Sequence, residues 1–210
     1  MCHKLKLVLF ILLYTIFINS VNAQISLGVQ VGLNSAILEL SNKAPEAKLS
    51  YNNGYLFGTI VNYEITKMFS LQVEPRYVQK GQRTRLDLGN IKTDTKLFYN
   101  YLELPIYLVA EFTESQFRPF ILGGINMGYL LNVKAESNFN GKEETFDITD
   151  DYKKMDVAVD LGIGAKYLIL QNTCILLSAR YSHGIYNIST YGGTVNTRGI
   201  QLLIGVLYKL

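Results

Sequence analysis

Eight charged residues are spaced so that they could do chemistry together: Glu74, Arg76, Lys80, Glu103, Asp156, Asp160, Lys166 and Arg180. Carboxylates beside cations can relay protons, select ions or lock into salt bridges, and burial decides among these. Four acids face four bases in this set. A balanced set reads as a structural plug, whereas a ring of one sign would read as an ion-selective or proton-linked path.

Other chemistry has little to work with. Beyond residue 23 the one imidazole is His183, and its spacing from Tyr181 puts it on an apolar face, where it reads as rim packing rather than as a general base. Ser178 and Ser182 lie near Arg180, but no His shares their face to activate them. Gly123-Gly124 and Gly162-Ile163-Gly164 are not followed by helical patterns and lack the spaced dinucleotide fingerprint, so they read as curvature and interior space. One His and one Cys far apart give no metal constellation. No cofactor is implied.

The elements that must carry the charges show a period of two, the mark of strands with unlike faces. Ile25, Leu27, Val29, Val31 and Leu33 share one parity against Ser26, Gly28, Gln30, Gly32 and Asn34. Similar alternation recurs over residues 54–65, 69–80, 98–108, 118–131, 155–167, 175–182 and 200–210, which makes eight segments. The charged set falls on the polar parity throughout: Glu74 opposes Val73, and Asp156 and Asp160 oppose Val157 and Val159.

Alternation alone does not say which face meets water, since a soluble barrel and a membrane barrel have opposite senses. Three features choose the membrane sense. No apolar face carries Asp, Glu, Lys or Arg; glycines such as Gly28, Gly32, Gly124, Gly128, Gly162 and Gly164 crowd the polar faces, as a narrow interior requires; and aromatic residues sit at segment ends, with Tyr63, Phe69, Tyr167 and Tyr208 at one level and Tyr55, Tyr77 and Tyr129 at the other. The expected fold is all-β: an eight-stranded antiparallel up-and-down transmembrane barrel over residues 24–210. Connections at 66–68, 111–117 and 169–172 are short, whereas those at 39–53, 82–96, 131–154 and 187–198 are long and polar, which places both termini on the periplasmic side. Pro75 and Pro105 lie inside strand patterns and each removes a ladder donor, so bulges are expected there.

Residues 1–23 read as an address. Lys4 and Lys6 precede an apolar run at 7–18, too short to span a bilayer as a helix, and Val21-Asn22-Ala23 is a small-residue cleavage site. The chain is therefore expected to be exported to the outer membrane as a single domain. Its formal charge of +3 falls to +1 without Lys4 and Lys6, and no basic cluster remains to track phosphates, which argues against nucleic acid as a partner. Only Cys174 survives the cleavage, so no disulfide forms within the chain.

The segments LQVEPRYVQKG (71–81), YLELPIYL (101–108), RPFILGGINMGYLL (118–131), VDLGIGAKY (159–167) and SARYSHGIYNI (178–188) together resemble the small outer-membrane β-barrel proteins of Bacteroidetes known as the PorT family, similar in shape to opacity-type and OmpX-type barrels. The resemblance implies an eight-stranded barrel and, for the named member, an accessory role in protein secretion and protease maturation. The chain departs from the usual pattern in ending Tyr208-Lys209-Leu210 rather than on an aromatic residue. The expected function is non-enzymatic: a barrel with a plugged lumen, with outer-membrane lipid around it and a protein partner at its long extracellular loops or in a secretion machinery. The alternatives are a lipid-modifying enzyme and a narrow channel.

Overall fold

The computed structural model describes residues 24–40, 47–87, 92–139, 142–190 and 193–210. The address assigned to residues 1–23 lies outside the described residues. Ten strands form among the described residues: β1 (Ile25–Leu40), β2 (Ala47–Glu64), β3 (Phe69–Val73), β4 (Arg76–Asp87), β5 (Lys92–Glu111), β6 (Phe117–Phe139), β7 (Lys142–Asp147), β8 (Met155–Leu170), β9 (Thr173–Gly184) and β10 (Val195–Lys209). The pairings run antiparallel from strand to strand, and β10 pairs with β1 from Ser26↔Lys209 to Leu40↔Val195, which closes the sheet into a barrel.

β3 and β4 lie end to end between β2 and β5 and keep one register against both. Val73 opposes Ile106 and Arg76 opposes Glu103 on β5, while Val61 and Gly58 oppose the same two residues from β2. They are one barrel strand interrupted at Glu74-Pro75. Among the described residues β7 pairs with β6 alone. The closed ring therefore has eight positions. The bulges expected at Pro75 and Pro105 are not there: the register shifts fall between Asn52 and Leu56 on β2, between Asn100 and Tyr101 on β5, where β6 carries one extra residue, and between Leu168 and Leu170 on β8. The prolines lack a donor but add no residue. Their carbonyls stay in use, as Thr59 N–H donates to Pro75 O at 3.0 Å and Glu74 N–H to Pro105 O at 3.1 Å.

Side-chain burial follows the sequence parity. Val29, Leu33, Phe57, Leu102, Ile125, Leu161, Ile163 and Leu202 are exposed on the outside, whereas Gln30, Asn34, Asn62, Glu74, Asp160 and Gln201 are buried within. An outer wall of this kind fits hydrocarbon, not water. Phe57, Tyr77, Leu102, Tyr129 and Met155 are neighbours in register, with Tyr77 stacked on Phe57 at 5.2 Å and on Tyr55 at 5.8 Å, so the expected aromatic belt forms at one level.

Just past that level the polarity of the strands reverses. On β1 the inward residues become Ala36 and Leu38, and on β6 they become Val133 and Ala135, while outward positions hold Ser35, Lys134 and Glu136. Outward amides mark the crossing: Tyr77 Oη and Gln79 Nε2 donate to Asn100 Oδ1, and Asn100 Nδ2 donates to Asn132 Oδ1. Much of what reads in the sequence as long loops is strand. β1 runs to Leu40, β2 starts at Ala47, β4 reaches Asp87, and the charge-dense stretch 131–154 is a β6–β7 hairpin followed by a short 3-10 turn (Thr149–Asp151). The other end has the short turns, the start of β1 and the end of β10.

Close strand packing depends on glycine at specific points. A Cβ on inward Gly124 would sit 1.9 Å from the backbone oxygen of Ile106, whereas on Gly123 its nearest contact would be the flexible end of Leu161 at 3.1 Å. Gly124→Ala is therefore expected to abolish the compact, heat-modifiable band of the folded protein on unboiled gels. Gly123→Ala is expected to fold like wild type, and equal folding of the two variants would refute this account.

Candidate functional site: the charged interior

The interior is stacked in three layers. At the long-hairpin end Leu38, Tyr99, Tyr101, Leu130, Val133, Ile188 and Val195 form an apolar cap, against which Ile148 and Tyr152 pack from the connection after β7. Tyr99 and Tyr152 meet edge to face at 5.0 Å and share a hydroxyl hydrogen bond of 2.9 Å. Toward the short-turn end Ile60, Tyr107, Val109, Phe120, Leu122, Leu176 and Leu207 form a second apolar layer. Between these layers lie the charges.

Seven of the eight residues singled out by spacing meet there, all buried. Arg180 grips Glu74 in a two-point pair, Nη1 to Oε2 at 2.6 Å and Nη2 to Oε1 at 3.0 Å. Arg76 donates from Nε and Nη2 to Glu103 Oε2 at 3.0 and 2.8 Å, and its guanidinium lies 3.5 Å from both Glu74 and Asp160. Lys80 Nζ bridges Glu103 and Asp156 at 2.9 Å each. β3–β4, β5, β8 and β9 thus meet across the lumen, because inward side chains from opposite walls reach one another in so narrow a barrel. Lys166 stands apart. It is one apolar layer away, 2.6 Å from Glu111 Oε1, with Arg118 at 3.9 Å from the same carboxylate.

Neutral groups complete the network, as buried charge requires. Gln30 and Gln72 donate to Glu74 at 2.7 and 2.5 Å, Asn126 to Glu103 at 2.8 Å, Tyr107 Oη to Asp160 Oδ2 at 2.6 Å and Thr197 Oγ1 to Asp156 Oδ2 at 3.1 Å. Lys80 lies over the Tyr101 ring at 4.7 Å and Arg180 over the Tyr107 ring at 5.0 Å. Sequence reading missed Glu111, which spacing assigned to a turn although it shares the parity of Glu103.

The remaining candidates are dispersed. His183 is exposed on the outer face, 6.2 Å from the Tyr181 ring. Ser178 and Ser182 are buried inside, where Ser178 accepts from Arg180 Nε at 3.2 Å. Cys174 is a half-buried free thiol beside the second apolar layer. Among the described residues no cluster of three or more His, Cys, Asp or Glu could hold a metal. Beyond the lipid-facing band, hydrogen bonds from Arg83 hold the Asp94 carboxyl below its ordinary range, and the Thr149 hydroxyl and N–H do the same for Asp147.

This arrangement matches known proteins. The family model described as outer membrane protein beta-barrel domain matches residues 17–190. Among solved structures, Neisserial surface protein A is similar with 17% identity and a TM-score of 0.50, covering 88% of this chain and 97% of that one. The outer membrane protein AlkL, solved in lipid bilayers, is similar with 13% identity and a TM-score of 0.52, covering 89% and 90%. At such identities the likeness is one of fold. No curated protein sequence matches the chain.

If the network is coupled, breaking one pair will leave an orphaned charge. Arg180→Met is expected to cost about 3–5 kcal/mol by stranding Glu74, and adding Glu74→Gln to it should recover much of that loss. Urea unfolding in detergent micelles, followed by loss of the compact gel band, measures both. Strictly additive costs would show that the pair is not coupled.

Proposed function

Because the chain belongs to the outer membrane protein beta-barrel domain family, and its place is the outer membrane, we propose that it is a non-enzymatic barrel with a sealed lumen that acts through its long hairpins, as a surface-binding or secretion-accessory component. The observation that carries this reading is the layering of the interior, in which an ion-paired centre lies between two apolar layers. A water-filled path would need a continuous polar wall, and here Ile188, Leu130 and Tyr99 fill the mouth. The hairpins then present the polar surface. β7 exposes Glu144, Thr145, Phe146 and Asp147, and its second edge pairs with no other strand among the described residues. Such an edge, set above the lipid, suits protein contact.

Within the family we read the chain as PorT-like, on the segments LQVEPRYVQKG and RPFILGGINMGYLL, exported by the leader at residues 1–23 with its long hairpins outside the cell. We also read His183 as a rim residue. Its side chain faces away from Ser178, Ser182 and the carboxylates, so no inward nucleophile can use it as a base.

Three measurements test this reading. Purified protein in planar bilayers is expected to show no conductance steps, and reproducible steps would overturn the sealed lumen. A deletion strain is expected to change its surface and secreted protein profile. Full-length protein should restore that profile, and a folded variant with residues 134–147 replaced by a short Gly-Ser turn should not; restoration by the trimmed variant would overturn the role of the hairpin. His183→Ala is expected to leave lipid A unchanged.

A further inference from the structure

The central compartment does not balance. Glu74, Glu103, Asp156 and Asp160 face only Arg76, Lys80 and Arg180, because Lys166 lies beyond the second apolar layer with Glu111 and Arg118. The extra positive charge of that lower group is on Arg118, whose side chain is 28% exposed and so screened by water. One negative charge thus remains in a closed space, where a lone ion is costly unless a partner neutralises it.

The unmatched charge can be located. Glu74 has the two-point grip of Arg180, Glu103 has Arg76 and Lys80, and Asp156 has Lys80. Asp160 is fully buried, and among the described residues its only hydrogen bond comes from Tyr107, at Oδ2. The nearest cationic atom, Arg76 Nη2, is 3.5 Å from that same oxygen, and Oδ1 has no partner.

Unpartnered oxygens continue along the wall beside it. Ser182 on β9 is the direct cross-strand partner of Asp160 on β8; it is 4% exposed and its Oγ is unpartnered. Directly opposed side chains on one face have Cβ atoms about 5 Å apart. Gln201, on β10, directly opposes Arg180, whose guanidinium is taken up by Glu74, and is diagonal to Ser182; it is 1% exposed with both amide atoms unpartnered among the described residues. Three buried side chains on adjacent strands thus present one carboxylate oxygen (Asp160 Oδ1), a hydroxyl and an amide oxygen that have no hydrogen-bond partner among the described residues.

We infer that Asp160, Ser182 and Gln201 form a buried site for one monovalent alkali cation. Hard oxygen donors without His or Cys suit such an ion, and a single unmatched charge calls for one positive charge rather than two. The ion would neutralise Asp160 and satisfy the two neutral oxygens together. This site depends on the closed lumen and not on what the hairpins bind, so failure of either reading leaves the other testable.

The test uses the full-length folded protein in detergent micelles. Thermal loss of the compact gel band is followed in sodium, potassium and N-methylglucamine chloride at matched ionic strength. The midpoint is expected to be higher with sodium than with N-methylglucamine, rising about 3–5 °C per tenfold sodium until saturation. In Asp160→Asn, which keeps the shape and removes the charge, that dependence should vanish. Ser182→Ala leaves every ion pair intact and should weaken it about tenfold in sodium concentration. Sodium-23 line broadening by wild type, relieved by excess potassium and absent with Asp160→Asn, is the second readout. Equal wild-type midpoints in all three salts would overturn the proposal. So would a midpoint that responds to pH through Asp160 but not to sodium, because a proton would then hold the place of the ion.

Discussion

The structure depends first on closure. In hydrocarbon no water satisfies a backbone N–H or C=O, so a strand that crosses it must be paired on both edges. β1 meets β10 over fifteen register positions, from Ser26 to Leu40, which leaves no edge within the lipid-facing band. Even Glu74-Pro75, where the ladder lacks a donor, keeps its carbonyl and its neighbour's N–H in use across to β2 and β5. The strand that is paired on one edge only, β7, lies beyond the level where the outer wall turns polar. Water there can take the free groups.

Closure fixes the interior. Eight strands leave a lumen only wide enough for side chains, and the outer wall has already taken the apolar parity of every strand. The inward parity at mid-depth holds polar and charged groups, which must satisfy one another, beside one apolar cluster of Leu56, Val78 and Leu203. Where the outer wall meets water again, the requirement reverses. Leu38, Val133 and Val195 turn inward, Lys134 and Glu136 turn outward, and the amides of Asn100 and Asn132 mark the boundary. The cap over the mouth is thus a small soluble core built on top of a membrane barrel.

That reversal explains what could and could not be read from the sequence. Strand parity between Ile25 and Leu33, or between Met155 and Tyr167, was legible because lipid demands apolar side chains at every second position. The inward position of the charged set followed from it. The strand continuations through Leu40, Asp87 and Phe139 were not legible, because beyond the boundary neither face has to be apolar for long and the stretch reads as a polar loop. The bulge opposite Asn100 and Tyr101 leaves no compositional mark, whereas the prolines that do leave one keep their register. Glu111 was lost to a turn for the same reason: parity becomes ambiguous at the last residue of a strand. Which acid pairs with which base was beyond one-dimensional reach, since Arg180 and Glu74 are 106 residues apart and meet across the lumen.

A buried ion-paired core is weak evidence for stability, since well-packed apolar residues often do as well. It has a different consequence in this barrel. A slip of one residue in β8 would exchange its two faces and turn Asp156, Asp160 and Lys166 toward lipid. Charges turned into hydrocarbon are costly, most of all near the midplane, and Arg76, Lys80 and Glu111 lose partners inside. An apolar interior would carry no such penalty, because both faces of the strand would then be equally content in hydrocarbon. The charges thus act as register pins: each strand that contributes one has a single setting in which lipid meets only apolar groups and the lumen is satisfied. The glycines act in the same sense, since a position such as Gly124 tolerates no side chain against Ile106 and cannot exchange places with a neighbour. Register is held by what the interior refuses as much as by what it accepts.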